Sequence, residues 1–220
     1  MEVKYALRIK ANFFWDSLNV IRASILGAND GIISVSGIVL GAAGANLDSK
    51  TLLISGLSGM LAGACSMAGG EWISVSTQRD IQEKTLEKQD QATNKGCENC
   101  PIKLQKNDIL MPLHAAASSF CSFIIGAMIP LLTMTLASPA HRVIFTLIAM
   151  IASLSINATV CTHHSDASTS KTIVRNVVTG LLTTLVTFIL GSSVWVLSIL
   201  QTSSPGLIDT NYLNWNLQTK

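Results

Sequence analysis

The sequence predicts an all-α integral membrane protein with five transmembrane helices. Of its 220 residues, 49% are hydrophobic and only 13% are charged, whereas about 25% are charged in a typical soluble domain. The charges are also unevenly distributed, because Arg142 is the only Lys, Arg, Asp or Glu between Leu110 and Val160. A soluble domain of this size could not bury so much apolar surface in one core.

The N-terminal segment, residues 1–20, is predicted to form an amphipathic helix on the membrane surface. It mixes charged with apolar residues, so it lacks the clean apolar core and small-residue cleavage site of a secretory signal. Its apolar residues fall near one helical face, which is typical of interfacial helices. These residues are Ala6, Ile9, Phe13, Phe14 and Leu18.

Five later segments each hold about 20 mostly apolar residues, the length that a membrane-crossing helix needs. They are roughly Ile21–Ala45, Leu52–Val75, Leu110–Leu136, Val143–Cys161 and Ile173–Leu200. This divides the chain into an amphipathic segment (1–20), a first transmembrane hairpin (21–77), a short loop between helices two and three (78–108), helices three to five (109–203) and a C-terminal tail (204–220). Within the loop, Asp80–Gln91 is predicted to continue the second helix.

The distribution of positive charge predicts the orientation. With five spans, twelve of the 15 Lys and Arg residues fall on the side of the N-terminus and three on the other side. Because short cytoplasmic loops carry the excess of Lys and Arg, the N-terminus is predicted to be cytoplasmic and the C-terminus to lie outside. The loop 78–108 is then cytoplasmic.

Ionisable residues inside a span indicate function, because their burial in lipid is costly. Asp30 and Glu71 are the only carboxylates in the five predicted spans. Asp30 lies about nine residues into span one, or about 13 Å deep, near the middle of the bilayer. Small residues flank it (Gly27-Ala-Asn-Asp-Gly31), so a neighbouring backbone or an ion can come close. Gly31 is also expected to loosen the helix, so that carbonyl groups face the path.

Span two supplies a second pair of candidate ligands. Met67 and Glu71 are spaced i, i+4 and share a helical face. Glu71 falls near the cytoplasmic end of the span, and Met67 one turn deeper. A soft thioether together with a hard carboxylate suits a borderline ion such as Fe²⁺ or Mn²⁺ better than Mg²⁺ or Ca²⁺. The hairpin therefore predicts a metal path through Glu71, Met67 and Asp30.

Each of these three residues also has a simpler interpretation. A methionine in a membrane helix is usually there for packing. Glu71 could be an interfacial carboxylate that reaches toward water, and Asp30 could be a structural hydrogen-bonding group. The combination of the three indicates a metal path more strongly than any single member.

Four residues of the 78–108 region are weaker metal candidates. Glu83 and Glu87 are spaced i, i+4, but nearby lysines can pair with them, so a solvated helix face is favoured. Cys97 and Cys100 form a C-x-x-C motif. No second cysteine pair completes a four-thiolate zinc site, so two ordinary loop cysteines are favoured, with a redox or accessory metal role as the alternative.

Two long motifs identify a family resemblance. Arg22–Gly31 (RASILGANDG), followed by Ser34, resembles the first-helix signature of the vacuolar iron transporter family of plants and fungi. Ala62–Asp80 (AGACSMAGGEWISVSTQRD) resembles its second-helix signature. Pro112–Pro130 is similar to a stretch of its third helix.

This resemblance implies a five-helix homodimer with the ion path near the subunit interface. It implies export of Fe²⁺, and often Mn²⁺, from the cytosol to a vacuole or the cell exterior while protons move the other way. The pathway aspartate of the family corresponds to Asp30, and its methionine and glutamate to Met67 and Glu71. No enzyme activity, bound cofactor or nucleic-acid partner is implied. The expected location is a vacuolar or other internal membrane, or a bacterial inner membrane.

The chain departs from the better-studied members of that family in one region. Those members carry a long, glutamate-rich cytoplasmic domain between helices two and three, whereas the loop here has about 30 residues. The chain is therefore nearer the nodulin-like members with a short loop. Glu83, Glu87 and the Cys97/Cys100 pair are the residues that could form a reduced substitute.

Three other functions compete with a proton-coupled metal exporter. A non-transporting membrane assembly protein would use its GxxxG spacings, Gly27/Gly31 and Gly37/Gly41, only for helix packing. A general cation channel would conduct without proton coupling. A membrane redox enzyme would need a cofactor site beside Cys97 and Cys100, and the spans hold no histidine pair at helical spacing.

Overall fold

The computed structural model describes residues 2–94, 110–163 and 168–203, and helices are the only regular secondary structure over these ranges. Four residues separate helices one and two (45–48), and five separate helices three and four (137–141). These stretches contain Asn, Asp, Ser and Pro, which favour turns. The five helices are α1 (Glu2–Gly44), α2 (Ser49–Asn94), α3 (Pro112–Leu136), α4 (Arg142–His163) and α5 (Thr169–Ser203).

All five helices contain a segment that is long and apolar enough to cross a membrane, which confirms the predicted fold class. The candidate spans are Leu18–Gly44, Ser49–Lys88, Pro112–Leu136, Arg142–Thr162 and Thr169–Gln201. The side of the membrane on which each end lies stays a prediction from the Lys and Arg distribution.

Two of the helices extend beyond their predicted spans. α2 continues to Asn94, which confirms the helical extension predicted after Val75. α1 is one unbroken helix from Glu2 to Gly44, so residue 20 is not a helix boundary. The placement of residues 1–20 on the membrane surface stays a prediction.

Helix α1 packs against each of the other four helices, and glycines allow its closest approaches. A Cβ atom at Gly31 would lie 2.2 Å from the backbone oxygen of Phe123 in α3, and one at Gly27 would lie 2.6 Å from that of Ser119. At the contact with α5, a Cβ at Gly191 would lie 1.9 Å from the backbone oxygen of Gly41. Side chains at these positions would force the helices apart, as expected for tightly packed membrane helices.

The main hydrophobic core lies between α1, α2, α3 and the nearby end of α4. Packing in a membrane relies on close van der Waals contact, because lipid gives no hydrophobic drive for helices to associate. The buried members of the main cluster are Val35, Val39, Leu40, Met60, Ala64, Phe123, Ala127, Leu131 and Met134.

The turn between α1 and α2 ends in a helix cap. Asn46 adopts a left-handed backbone with φ of 55°, a conformation that asparagine tolerates better than most residues. The Asp48 side chain then accepts hydrogen bonds from the Lys50 amide at 3.1 Å, the Thr51 amide at 3.4 Å and the Thr51 hydroxyl. Asp48 is therefore the N-cap of α2.

We expect the Asp48 cap to make stability depend on pH. The Thr51 hydroxyl foremost, and then the Thr51 and Lys50 amides, hold the pKa of the Asp48 carboxyl below its usual value. A lowered folded-state pKa means that the charged cap stabilises the fold above about pH 4 and that this stabilisation is lost as the pH falls further. Asp48→Ala should lower the melting temperature at pH 7, and the difference from the wild type should shrink at pH 3.

Asp48→Asn serves as the control, because asparagine keeps the cap without the titration. Thermal unfolding in detergent gives the melting temperatures of the wild type and the two variants at pH 7 and pH 3. A difference between wild type and Asp48→Ala that is the same at both pH values would contradict the role of the charged cap.

Candidate metal-ion path

One cavity between α1 and α2 joins the three residues that the sequence predicted to form a metal path. Its volume is about 360 Å³, room for an ion with part of its hydration shell. Asp30, Met67 and Glu71 all line it. The full lining comprises Asp30, Ser34, Ile38, Gly59, Gly63, Ser66, Met67, Gly70, Glu71 and Phe123.

The antiparallel packing of α1 and α2 sets the depth of each candidate ligand. Gly59 faces Ile38, and sixteen residues later along α2, Val75 shares a small core cluster with Ala23 of α1. Midway between these two contacts, the register brings Met67 level with Asp30. Glu71 then lies about 6 Å nearer the end of the bundle that holds Val75.

This register corrects one detail of the predicted path. The sequence placed Glu71, Met67 and Asp30 at three successive depths, because each span was considered separately. In the folded hairpin there are two levels, an outer one at Glu71 and an inner one at which Met67 and Asp30 line the same cavity. A soft and a hard ligand at one level can bind one ion together.

Asp30 is half-buried and keeps most of its hydrogen-bonding capacity. Its Oδ1 accepts a hydrogen bond from the Ser34 hydroxyl at 2.9 Å, one turn along the same helix. Within the described part of the chain no other hydrogen bond to this carboxylate is present. A carboxylate oxygen can accept more than one bond, so Asp30 has acceptor sites left for an ion.

Gly31 positions Asp30 by close packing rather than by loosening the helix. α1 stays helical through Gly31, so the prediction that Gly31 loosens the helix and turns carbonyl groups toward the path is wrong. The backbone of Phe123 occupies the space beside Gly31, and the buried Phe123 ring fills the space beside Gly63 across the cavity. The missing side chains of Gly31 and Gly63 therefore allow α3 to form one wall of the cavity.

Glu71 is 7% exposed and is paired with a cation that the sequence did not single out. The Arg22 Nη2 donates to the Glu71 Oε2 at 2.9 Å, and the Arg22 side chain is 52% exposed. A carboxylate this buried needs such a partner. Sequence reasoning could have found the pair by asking which cation of span one lies at the depth of Glu71 in an antiparallel hairpin.

Met67 both packs in the core and lines the cavity, and its role as a metal ligand stays a prediction. It packs against the main core cluster as a partly buried residue, which is the ordinary role of methionine. It also lines the cavity. Two serines, Ser34 and Ser66, add hydroxyl oxygens to the lining; the sequence motifs contained them without assigning them a role.

Of the weaker candidates, Glu83 and Glu87 do not line this cavity. Glu83 pairs with Arg79 on the surface of α2 at 3.0 Å, with both side chains nearly half exposed, and Glu87 is exposed. For Glu83 and Glu87, the structure therefore favours a solvated helix face over a metal site. Cys97 and Cys100 lie outside the described residues. In the part of the chain that the structure describes, no three or more His, Cys, Asp or Glu side chains lie together in a group that could hold a metal ion.

The glycines of the two GxxxG spacings contact other helices of the same chain. Gly27 and Gly31 meet the α3 backbone, and Gly37 and Gly41 face Thr187 of α5. Their spacing therefore serves packing within the five-helix bundle, and it does not by itself indicate an assembly partner.

Comparison with known proteins places the chain in a family. A family model described as the VIT family matches residues 21–106 and 98–192. Vacuolar iron transporter homolog 1 of Oryza sativa subsp. japonica is 36% identical over 169 residues, 76% of this chain and 71% of that protein. Vacuolar iron transporter homolog 2 of Arabidopsis thaliana is 34% identical over 137 residues, 62% of this chain and 64% of that protein.

A third relative, VIT-like transporter 1b of Glycine max, is 35% identical over 136 residues, 62% of this chain and 58% of that protein. The chain thus spans between about half and two thirds of the length of several curated relatives, from 50% to 64%. The family match nevertheless covers most of the chain, including α1 and the cavity-lining part of α2. The chain belongs to the VIT family, as its first two helix motifs indicated.

Proposed function

We propose that this protein moves a divalent metal ion, Fe²⁺ or Mn²⁺, out of the cytosol across a membrane in exchange for protons. The observation that carries the proposal is the cavity that brings Asp30, Met67 and Glu71 together between two membrane-crossing helices. Buried carboxylates in such helices mark ion paths. The names of the relatives, which are vacuolar iron transporter homologs and VIT-like transporters, support the same function and a vacuolar membrane.

The two levels of the cavity suggest how an ion would pass. The ion enters at Glu71, near the end of the hairpin, and moves about 6 Å inward to the level of Met67 and Asp30. A carboxylate cannot hold both a proton and a metal ion. Protonation of Asp30 from the far side would therefore release the ion there and return a proton toward the cytosol.

The outer face of α2 supports the homodimer that the family resemblance implied. Apart from the neighbouring backbone of α2 itself, no described atom lies within 4 Å of where a Cβ would stand at Gly69 or Gly70, and Cys65 and Ser66 on the same stretch are exposed. A face of small residues is typical of close helix contacts in a membrane. Because Ser66 and Gly70 also line the cavity, a second copy on this face would lie beside the ion path.

Flux measurements in liposomes test the proposal. The purified full chain is reconstituted with a metal-sensitive dye inside, and Fe²⁺, Mn²⁺ or Zn²⁺ is added outside, with the lumen either acidic or at the outer pH. We expect Fe²⁺ or Mn²⁺ to enter, an acidic lumen to speed entry, and the lumen to become less acidic as metal enters. Protein-free liposomes give the background.

The other outcomes separate the competing functions. Metal entry that neither depends on the pH gradient nor moves protons would indicate a cation channel. No metal entry above background, from protein that is folded and inserted, would contradict transport and favour a membrane assembly protein.

A further inference from the structure

The ion pair between Arg22 and Glu71 stands at the outer level of the cavity. Glu71 lines the cavity and is almost fully buried, whereas Arg22 reaches it from α1 with half of its side chain exposed. The 2.9 Å contact occupies the carboxylate oxygen Oε2. A metal ion that binds Glu71 must therefore share this carboxylate with a guanidinium or displace it.

Arg22 has a second acceptor on its own helix. The Asn19 side-chain oxygen lies 3.4 Å from Arg22 Nε and 3.3 Å from Nη2. These distances are longer than the bond to Glu71, as expected for a weaker, neutral acceptor. A guanidinium that leaves Glu71 thus remains next to a hydrogen-bond acceptor, near water and away from the cavity.

We infer that Arg22 is a tethered competitor of the transported ion: its guanidinium bonds both Glu71 and Asn19 when no metal is bound, and it gives up Glu71 and stays on Asn19 when a metal ion takes its place. This inference rests on the proposed function, because it assigns a regulator of ion binding at the same site. Arg22 becomes a specificity-determining residue that does not itself touch the ion.

Electrostatics explains why such a competitor is useful. A buried carboxylate without a partner is strongly unfavourable, so Glu71 needs a positive charge when the path is empty. A monovalent ion brings no more charge than the guanidinium that it would displace, whereas a divalent ion brings twice as much. The pair therefore opposes Na⁺ and K⁺, and it also keeps the divalent ion from binding so tightly that it cannot leave.

Binding of Mn²⁺ to the purified full chain in detergent tests this inference. The signal of free Mn²⁺ in electron paramagnetic resonance reports the unbound ion. Removing the competitor in Arg22→Gln should tighten Mn²⁺ binding about tenfold, within the usual range for coupling between two binding events. The matched control is Arg175→Gln, which removes an exposed arginine from α5 and should leave the affinity unchanged.

Two further variants separate competition from a structural role. Asn19→Ala removes the only acceptor in the described part of the chain that remains to the guanidinium once it has left Glu71, so it should weaken Mn²⁺ binding about threefold, opposite in sign to Arg22→Gln. In a Glu71→Gln background, Arg22→Gln should have no effect on affinity, because the group for which it competes is gone. Asn19→Ala also keeps the test decisive if Arg22→Gln does not fold.

The outcomes are distinguishable from failure of the proposed function. If wild type binds Mn²⁺ but folded Arg22→Gln binds it equally or more weakly, Arg22 is not a competitor, although transport can stand. If Asn19→Ala leaves Mn²⁺ affinity unchanged or tightens it, the role of Asn19 in holding the displaced guanidinium is wrong. If wild type does not bind Mn²⁺ at all, both the inference and its basis fail.

Discussion

Asp30→Asn is expected to lower metal flux more than about 100-fold while the protein still folds and reaches the membrane. Loss of a group that only orients a metal ligand already costs about 10- to 100-fold, and Asp30 is proposed to be the ligand itself. Asparagine keeps the shape and can still accept the Ser34 hydrogen bond, but it has no charge to hold a dication and cannot release a bound ion by taking up a proton.

Two assays measure this effect. Liposome flux gives the rate, and growth on toxic metal of cells that lack their own exporter gives tolerance, with membrane insertion checked separately. Asp30→Ala should behave like Asp30→Asn. Asp48→Asn removes the same charge at the turn between α1 and α2, outside the cavity, and should retain both flux and tolerance. Full activity of either Asp30 variant would overturn the proposed mechanism.

Gly31→Ala is expected to destabilise the protein by about 2 kcal/mol or more, although it adds a single methyl group. Overpacking of this kind typically costs about 1–3 kcal/mol. The added Cβ would lie 2.2 Å from the Phe123 backbone oxygen and 3.1 Å from the Ala127 nitrogen. A backbone cannot rotate away as a side chain can, so α1 and α3 must separate. Because Phe123 forms one wall of the cavity, metal flux should fall as well.

Gly37→Ala is the matched control on the same helix. Its added methyl group would meet the Thr187 side chain at 3.5 Å and the Thr183 side chain at 3.7 Å, which are ordinary contacts. Its effect on stability should remain within about 1 kcal/mol, and can be favourable, since alanine is the better helix former. Thermal unfolding in detergent compares the two variants. Equal melting temperatures would show that α1 and α3 do not pack as closely as described.

The Asp30 and Gly31 predictions show how far a motif can be taken from sequence. The string Gly27–Gly31 identified both a costly charge and a close approach, because charge burial and the absence of a side chain are properties of single residues. It did not identify the neighbour. The same glycine could have met a second copy, an ion or another span, and only the packed bundle shows that α3 is the partner.

The cation beside Glu71 shows the same limit for electrostatics. Arg22 and Glu71 are 49 positions apart, and the sequence indicated no role for the arginine beyond its positive charge and its place at the start of the first-helix motif. Their 2.9 Å contact depends on the register of α1 against α2. A shift of one helical turn, about 5.4 Å, would break the pair, so no property of either residue alone could have predicted it.

The sequence by itself determined that this protein has five membrane-crossing helices and that Asp30, Met67 and Glu71 are the residues to examine. Span length, hydropathy and the cost of burying charge are local properties, summed over about 20 residues at a time. The tertiary structure alone decided that Met67 lies level with Asp30, that Arg22 holds Glu71, and that α3 closes the cavity through Phe123. Those facts depend on the register and rotation of each helix against its neighbours. Steric contacts between residues that are distant in sequence select that register and rotation.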